Sequence, residues 1–285
     1  MLYALEPRPD GTYLDGTLGA GGHAEAILER SAPDGRVIGL DLDADAVARA
    51  RKRLEPYGER FVAVHGGYHE APEILESLHI SITDGIVLDL GLSSDQLEDP
   101  ERGFSFQKDG PLDMRFDTMS GKALTDILRT MKEKQLAEIL ASLGGERRSR
   151  RLAREILRAG NRGRLRTTKD LADIVLGVVG RGRQKIHPAT RTFQALRIYV
   201  NRELSNLERA LEDLPALLAP GGRMVVMSYH SLEDGMVKRS FRERGRDKLR
   251  WRVVTPKPIR PEREEITANP RSRSARMRAL EALAE

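Results

Sequence analysis

The chain contains no cysteine among its 285 residues. This excludes a disulfide framework, a thiolate nucleophile and a zinc–thiolate site. Any catalysis has to run on oxygen and nitrogen groups, and no metal site is expected. No apolar run approaches the roughly 18 residues that a bilayer span requires, and the start, Met1 to Gly11, lacks the basic-then-apolar layout of a secretory leader. A cytoplasmic location with no membrane partner is the expectation. Asn and Gln are scarce while Arg greatly outnumbers Lys, a balance compatible with a heat-adapted source. There is no internal repeat.

What is present is enough for a folded core, since 39% of the residues are hydrophobic in a chain long enough for one large domain or two modest ones. The net charge of +5 conceals a polarised layout. Residues 146–191 carry 14 Arg and Lys against 4 Asp and Glu, a local +10, and residues 242–278 carry 13 against 5, or +8, so that the remainder is near −13. An isolated run such as Arg147-Arg148-Ser149-Arg150-Arg151 reads as a solvated helix face. Two separated basic blocks on an otherwise acidic chain point instead to a polyanionic partner, because Lys and Arg gain by displacing counterions from phosphates.

The first ninety residues alternate strand and helix. Strands are expected at 12–14, 36–40 closing on Asp41, 61–64, and 85–88 closing on Asp89, with helices at 24–30, 44–54 and around 70–78. This alternation implies a parallel, doubly wound sheet whose ligands sit at the carboxyl ends of the strands. From Asp99 the pattern gives way to a polar stretch and then to helical segments, which reads as an insertion. One long amphipathic helix is expected as its exit, because Phe193, Leu196, Val200, Leu204, Leu207, Leu211 and Leu214 recur at spacings of three and four. A turn at Pro220-Gly221-Gly222 follows, then a strand at 223–227, a helix near 233–244 and strands at 251–254 and 276–280. The expected fold is α/β, a doubly wound Rossmann-like sheet with a mainly helical inserted domain. The sheet domain is discontinuous, 1–103 with 196–285, and residues 104–195 form the insertion.

The central motif runs from Asp15 through Gly16, Thr17, Leu18, Gly19, Ala20, Gly21 and Gly22 to His23, between the first strand and the first helix. Glycines there let backbone amides approach a ligand closely, and the helix start favours an anionic group. The second half of the turn also satisfies the dinucleotide fingerprint, with Asp41 about twenty residues on, so a nicotinamide cofactor is a rival. Three features favour S-adenosylmethionine. Asp15 precedes the turn in an Asp-x-Gly-x-Gly-x-Gly spacing, with Thr17 in place of the first glycine. Asp41 ends the second strand, where a carboxylate can accept both ribose hydroxyls, and Tyr68 follows the third strand, where a ring can cover the adenine. Asp89 closes the fourth strand on the side where a methyl acceptor would lie. Taken singly, each residue reads equally well as a helix cap or a turn carboxylate.

Beyond these features, the segments 15–23, 88–97, 102–106, 109–115, 187–197, 228–234 and 269–275 together resemble bacterial ribosomal RNA small subunit methyltransferase H, the MraW family, over nearly the whole chain. The resemblance implies methylation of the N4 amine of a cytidine in the decoding region of 16S rRNA, within the small ribosomal subunit, by a monomer or homodimer. It also implies S-adenosylmethionine contacts at Gly21, Gly22, His23, Asp41, Tyr68, Asp89 and Gln96, to which the turn itself adds Asp15 and Gly19. One departure is that the family's His-x-Pro-Val-Leu segment lies upstream of the first residue of this chain.

A cytosine amine is a poor nucleophile, because its lone pair is delocalised into the ring. A site that methylates it works by positioning and by acceptors aimed at the amine. Main-chain carbonyls of the loop after Asp89, or a carboxylate from Asp109 or Asp113, are the acceptor candidates. His230 is a candidate for taking up the proton, with a structural hydrogen-bonding role as the alternative. The base has to be unstacked, and Phe104 and Phe106 are candidate stacking surfaces or core residues. A non-catalytic RNA-binding assembly factor that keeps a cofactor site is a further alternative.

Overall fold

Among the described residues, seven strands form one sheet in the order β3-β2-β1-β4-β5-β7-β6. They are β1 (Thr12–Asp15), β2 (Arg36–Asp41), β3 (Phe61–His65), β4 (Thr83–Asp89), β5 (Leu218–Ser228), β6 (Trp251–Val253) and β7 (Arg276–Ala282). Strands β1 to β5 pair in parallel, and β7 runs antiparallel between β5 and β6. This is the expected Rossmann-like α/β sheet. The structure is a computed structural model that describes residues 1–180 and 187–284. No helix among the described residues is long and apolar enough to cross a membrane.

The near-continuous apolar runs of the central strands follow from burial on both faces. Successive side chains alternate between two cores, as the period of a strand requires. Leu14, Ile38, Leu40, Ile86, Leu88, Met224 and Val226 face one side, where Leu75, Leu207, Leu211 and Phe241 cover them. Tyr13, Val37, Val87, Val225 and Ala279 face the other, against Ile27, Leu28, Val47 and Leu54 of the helices Gly22–Arg30 and Ala44–Leu54. The strand order reverses between β1 and β4, so a crevice opens at their carboxyl ends. Asp15 and Asp89 are the last residues of those two strands.

The chain divides into two compact units, residues 1–91 with 204–285, and residues 92–203. Residues 92–103 and 196–203, placed in the sheet domain by the sequence pattern, thus fall in the second unit. The second unit is helical. Its core gathers Leu112, Met114, Leu124, Leu136, Leu140, Leu152, Ile156, Leu171, Val175, Phe193 and Leu196, which come from the helices Leu124–Thr130, Glu133–Gly144, Ser149–Asn161, Thr168–Val179 and Ala189–Val200 and from the loop before them.

Two expectations from the sequence are corrected. The single long helix is two, Ala189–Val200 and Glu203–Asp213, broken where Arg202 takes a positive φ of 52°. The apolar spacing survives the break, so periodicity alone does not reveal it. What ends the first helix is Asn201, whose side chain accepts from the Phe116 amide at 2.7 Å and donates to the Met114 carbonyl at 2.8 Å. These contacts tie the helix end to a loop 85 residues earlier in sequence. The Pro220-Gly221-Gly222 turn lies inside β5, where the pairing with β4 shifts register between Thr83 and Gly85. A Cβ on Gly222 would stand 2.8 Å from the Ala219 carbonyl and 3.1 Å from that of Asp84, so the strand passes too close to its neighbour for any side chain.

Candidate functional site

The glycine turn after β1 is shaped by three aspartates at the ends of the neighbouring strands β2, β1 and β4. Gly19 and Gly21 adopt φ of 51° and 85°, the left-handed region that glycine enters without steric cost. The Gly19 amide donates to Asp41 Oδ2 at 2.7 Å, and the Asp43 amide donates to Asp41 Oδ1 at 2.9 Å. Asp41, at the end of β2, therefore holds the turn and the start of its own following loop together. Both carboxylate oxygens thus accept from backbone amides beside the turn.

Asp15 is completely buried. Its Oδ1 accepts from the Thr17 amide at 3.2 Å, and its Oδ2 has no hydrogen-bond partner among the described residues. Burial pushes its carboxyl up to about 6, opposed by the nearby His23. A buried, unsatisfied carboxylate oxygen beside an open glycine turn is costly to keep unless something occupies the turn. The ideal Cβ positions on Gly19 and Gly22 have no heavy atom within 4 Å, which leaves the backbone there open to a ligand.

Asp89, at the end of β4, joins three further groups. Tyr229 donates its hydroxyl to Asp89 Oδ1 at 2.9 Å, His23 Nε2 lies 3.2 Å from Oδ2, and the Asp89 amide donates to the Thr17 hydroxyl at 2.6 Å. Thr17, which departs from the glycine spacing, thus ties the β1 turn to the end of β4. Burial, together with the adjacent Asp89 charge, raises the Tyr229 hydroxyl well above the usual phenol range, so it stays a donor. Burial alone would lower the His23 pKa, but the hydrogen bond to Asp89 and the charge of Asp15 outweigh it and raise it. Tyr68 is half-buried just after β3, opening a short 3-10 turn.

Tyr229 was not singled out in the sequence. Its sequence signals are its place directly after β5 and its membership of the segment 228–234, and the hydrogen bond across 140 residues is decided by strand order.

Gln96, Asp109 and Asp113 belong to the second unit. Buried Gln96 forms a reciprocal cap with Ser93, each side chain meeting the other's amide at 3.1 Å. Asp109 is exposed at the start of the helix Thr168–Val179, where it accepts from the Lys169 amide at 3.1 Å. Hydrogen bonds from Thr167 and from that amide hold its carboxyl below the usual range. Asp113 accepts two parallel bonds from Arg115, at 2.8 and 2.7 Å. Burial alone would raise its pKa, but these bonds and the Arg115 charge bring it below the ordinary value. Arg115 in turn donates to the Thr118 and Ser120 carbonyls, so the pair organises a loop.

His230, in the first unit, caps the helix Ser231–Arg244 by accepting from the Glu233 amide at 3.4 Å. Its Nε2 lies 3.1 Å from Glu233 Oε1, although without hydrogen-bond alignment. Asp109, Asp113 and His230 thus each have a local structural engagement, and the three are divided between the two units.

Phe104 is 5% exposed and packs in the helical core with Arg102 over its ring at 5.7 Å, whereas Phe106 is half-buried. In the first basic block, Arg147, Arg150 and Arg151 are exposed, and Arg148 donates to the Val178 carbonyl. Residues 181–186 of that block lie outside the described residues. In the second block, Arg276 and Arg278 pair with Asp234, Arg252 pairs with Glu281, and Arg244 donates to the carbonyls of Leu211 and Glu212. Part of its positive charge is therefore committed within the protein.

A family model, that of the MraW methylase family, matches residues 1–283. The chain is 48% identical to the ribosomal RNA small subunit methyltransferase H of Syntrophus aciditrophicus, over 98% of this chain and 94% of that protein. It is likewise 48% identical to the protein of the same name from Thermomicrobium roseum, over 99% of this chain and 91% of that protein. Among solved structures, the fibrillarin of Aeropyrum pernix with bound S-adenosylmethionine aligns with a TM-score of 0.43 at 11% identity, over 99% of this chain and 74% of that one.

Proposed function

The chain belongs to the MraW methylase family, and from that premise we propose that it transfers a methyl group from S-adenosylmethionine to the N4 amine of a cytidine in the decoding region of 16S rRNA. The observation that carries this reading in the molecule itself is the grouping of Asp15, Asp41 and Asp89 on three strand ends around an open glycine turn, with Asp15 Oδ2 buried and unpartnered among the described residues. That donor set fits S-adenosylmethionine. An unpaired buried carboxylate oxygen suits a cofactor bearing positive charge, and Asp41 suits a pair of ribose hydroxyls. A methylase family favours this cofactor over a nicotinamide.

When bound, the cofactor supplies a methyl group on a positively charged sulfur. The protein's part is to hold and orient. Asp41 keeps the Gly19 amide in place and would accept from the ribose hydroxyls when the cofactor is bound. The neutral Tyr229 hydroxyl and the His23 ring fix both oxygens of Asp89, so that this carboxylate does not have to reorganise as charge shifts nearby. The amine is far less basic than an alkyl amine and sheds its proton readily once the new N–C bond has formed, so an oriented acceptor oxygen serves and no strong base is required. Asp109, Asp113 and His230 are assigned supporting roles in caps and loop organisation, and the carbonyls of the loop after Asp89 are the preferred acceptors. With the cofactor bound, Tyr68 would cover the adenine and Gly21 and Gly22 would approach it through their backbones, while Gln96 would support the loop that follows Asp89.

The helix Ser149–Asn161 turns Leu152, Ala153 and Ile156 inward and sets Arg150, Arg151, Arg154 and Arg158 on its exposed side, a surface suited to the RNA backbone. Arg154 and Arg158 have acidic neighbours at Glu133 and Glu155, and Arg148 holds a helix end. Replacing Arg147, Arg150 and Arg151 together with Gln is expected to lower RNA affinity and to flatten its salt dependence by about one unit of slope or more. Affinity for S-adenosylhomocysteine should not change. Identical salt slopes for variant and parent would remove this surface from the interface.

The function itself is tested by incubating unmethylated small subunits with labelled S-adenosylmethionine and analysing the nucleosides by mass. N4-methylcytidine is the expected product. Label on another base, on a ribose or on cytosine carbon would overturn the assignment, and intact RNA binding without turnover would favour an assembly factor.

A further inference from the structure

We propose that His187 is the outer face of a base-stacking platform on the helical unit, and that it receives one unstacked base of the RNA on its ring, with its Nε2–H donating in the ring plane to a phosphate or ribose oxygen of an adjacent nucleotide. The inference rests on an RNA substrate as read above and adds the subsite that grips the extruded base.

Three rings climb from core to surface. Phe193 is 4% exposed and belongs to the helical core. Phe106 meets it edge-on, with ring centroids 5.0 Å apart and an interplanar angle of 70°. The imidazole of His187 then lies on Phe106 at 4.5 Å, tilted by only 31°, and His187 is exposed. Each ring is located by the one below it. The final layer thus presents a flat surface to solvent at little entropic cost, the arrangement by which proteins hold unstacked bases.

The polar edge of the ring is also fixed. His187 Nδ1 accepts from the Ala189 amide at 3.2 Å, so the proton of the neutral imidazole resides on Nε2. That in-plane donor points past a base stacked on the ring face and suits a phosphate or ribose oxygen of an adjacent nucleotide. Arg191, exposed as the third residue of the helix that begins at Ala189, is available to a neighbouring phosphate. Phe104 does not compete for this role, being enclosed by Phe116 at 5.5 Å and by Arg102.

The alternative is that His187 only caps the helix Ala189–Val200, and two substitutions separate the roles. His187→Asn keeps an acceptor for the Ala189 amide and removes the ring, whereas His187→Phe keeps the ring and removes the polar edge. On unmethylated small subunits, His187→Asn is expected to lower kcat/KM by about ten-fold, the scale of one lost base–aromatic stack. His187→Phe should lose about three-fold. Both should keep the parental melting temperature and the parental affinity for S-adenosylhomocysteine. In the parent protein, addition of a short cytidine-containing RNA hairpin should move the His187 ring proton resonances upfield through the ring current of the stacked base. Parental turnover and RNA affinity in His187→Asn, or unmoved His187 resonances at saturating RNA, would overturn the proposal. If the parent methylates no cytidine, the functional reading fails on its own. The resonance shift and the RNA affinity of His187→Asn then still decide this subsite.

Discussion

Asp41→Ala is expected to weaken binding of S-adenosylmethionine and S-adenosylhomocysteine by about a hundred-fold or more, while the protein stays folded. A hydrogen bond to a charged group contributes roughly 1.5–3 kcal/mol, and each 1.4 kcal/mol is ten-fold in affinity. In this role the carboxylate would make two such bonds to the ribose. It also holds the Gly19 and Asp43 amides at 2.7 and 2.9 Å, so its removal loosens the turn that the cofactor lies against. Asp41→Asn, which keeps one acceptor oxygen, should lose less than alanine does. Calorimetric titration with S-adenosylhomocysteine, alongside thermal melting, reads both effects. A dissociation constant within about three-fold of the parent would remove Asp41 from the site.

Asp15→Asn is expected to do the reverse, stabilising the fold while impairing cofactor binding. The Asp15 carboxyl rises from 3.8 to about 6 in the folded protein, chiefly through burial. Between those values the folded state binds more protons than the unfolded state, so stability falls as pH rises through this window, and the penalty is complete above about pH 6. Its size is about 3 kcal/mol at most, from 1.36 kcal/mol for each unit by which a pKa moves. The raised pKa of His23 acts in the same direction, because its contribution is present at low pH and lost as pH rises through the folded value. Denaturation of parent and Asp15→Asn at about pH 5 and about pH 8 should therefore show a gap that widens at the higher pH. Saturating S-adenosylhomocysteine should stabilise the parent more than the variant. Equal stability of the two proteins at both pH values would mean that the ionised carboxylate carries no strain. A buried acid kept at this cost is the pattern in which stability is given up at a functional site.

Much of the first unit was legible in the sequence because its signals are local. Strand ends at Asp41 and Asp89, the helix Ala44–Leu54 and the glycine turn between β1 and the helix Gly22–Arg30 all follow from short-range alternation, a capping residue and backbone freedom. The grouping of Asp15, Asp41 and Asp89 was legible too, since a parallel sheet brings successive strand ends to one edge. The helical unit was less so. Its apolar spacing continued across Asn201 and Arg202, and nothing local distinguished a continuous helix from one stopped by an asparagine that reaches Met114 and Phe116.

The sequence by itself determined the fold class, the glycine turn with its carboxylates and the family to which the chain belongs, because these reside in residue types at short, regular spacings. The tertiary structure alone decided which polar groups are engaged and with what. It joined Tyr229 to Asp89 and Thr17 to the end of β4, assigned Asp109 and His230 to helix starts, committed Asp113 to Arg115, and set His187 upon Phe106. The reason is that a hydrogen bond or a ring stack depends on distances of a few ångströms between residues far apart in the chain. Those distances are fixed by strand order and helix packing rather than by any local preference of the residues that make the contact.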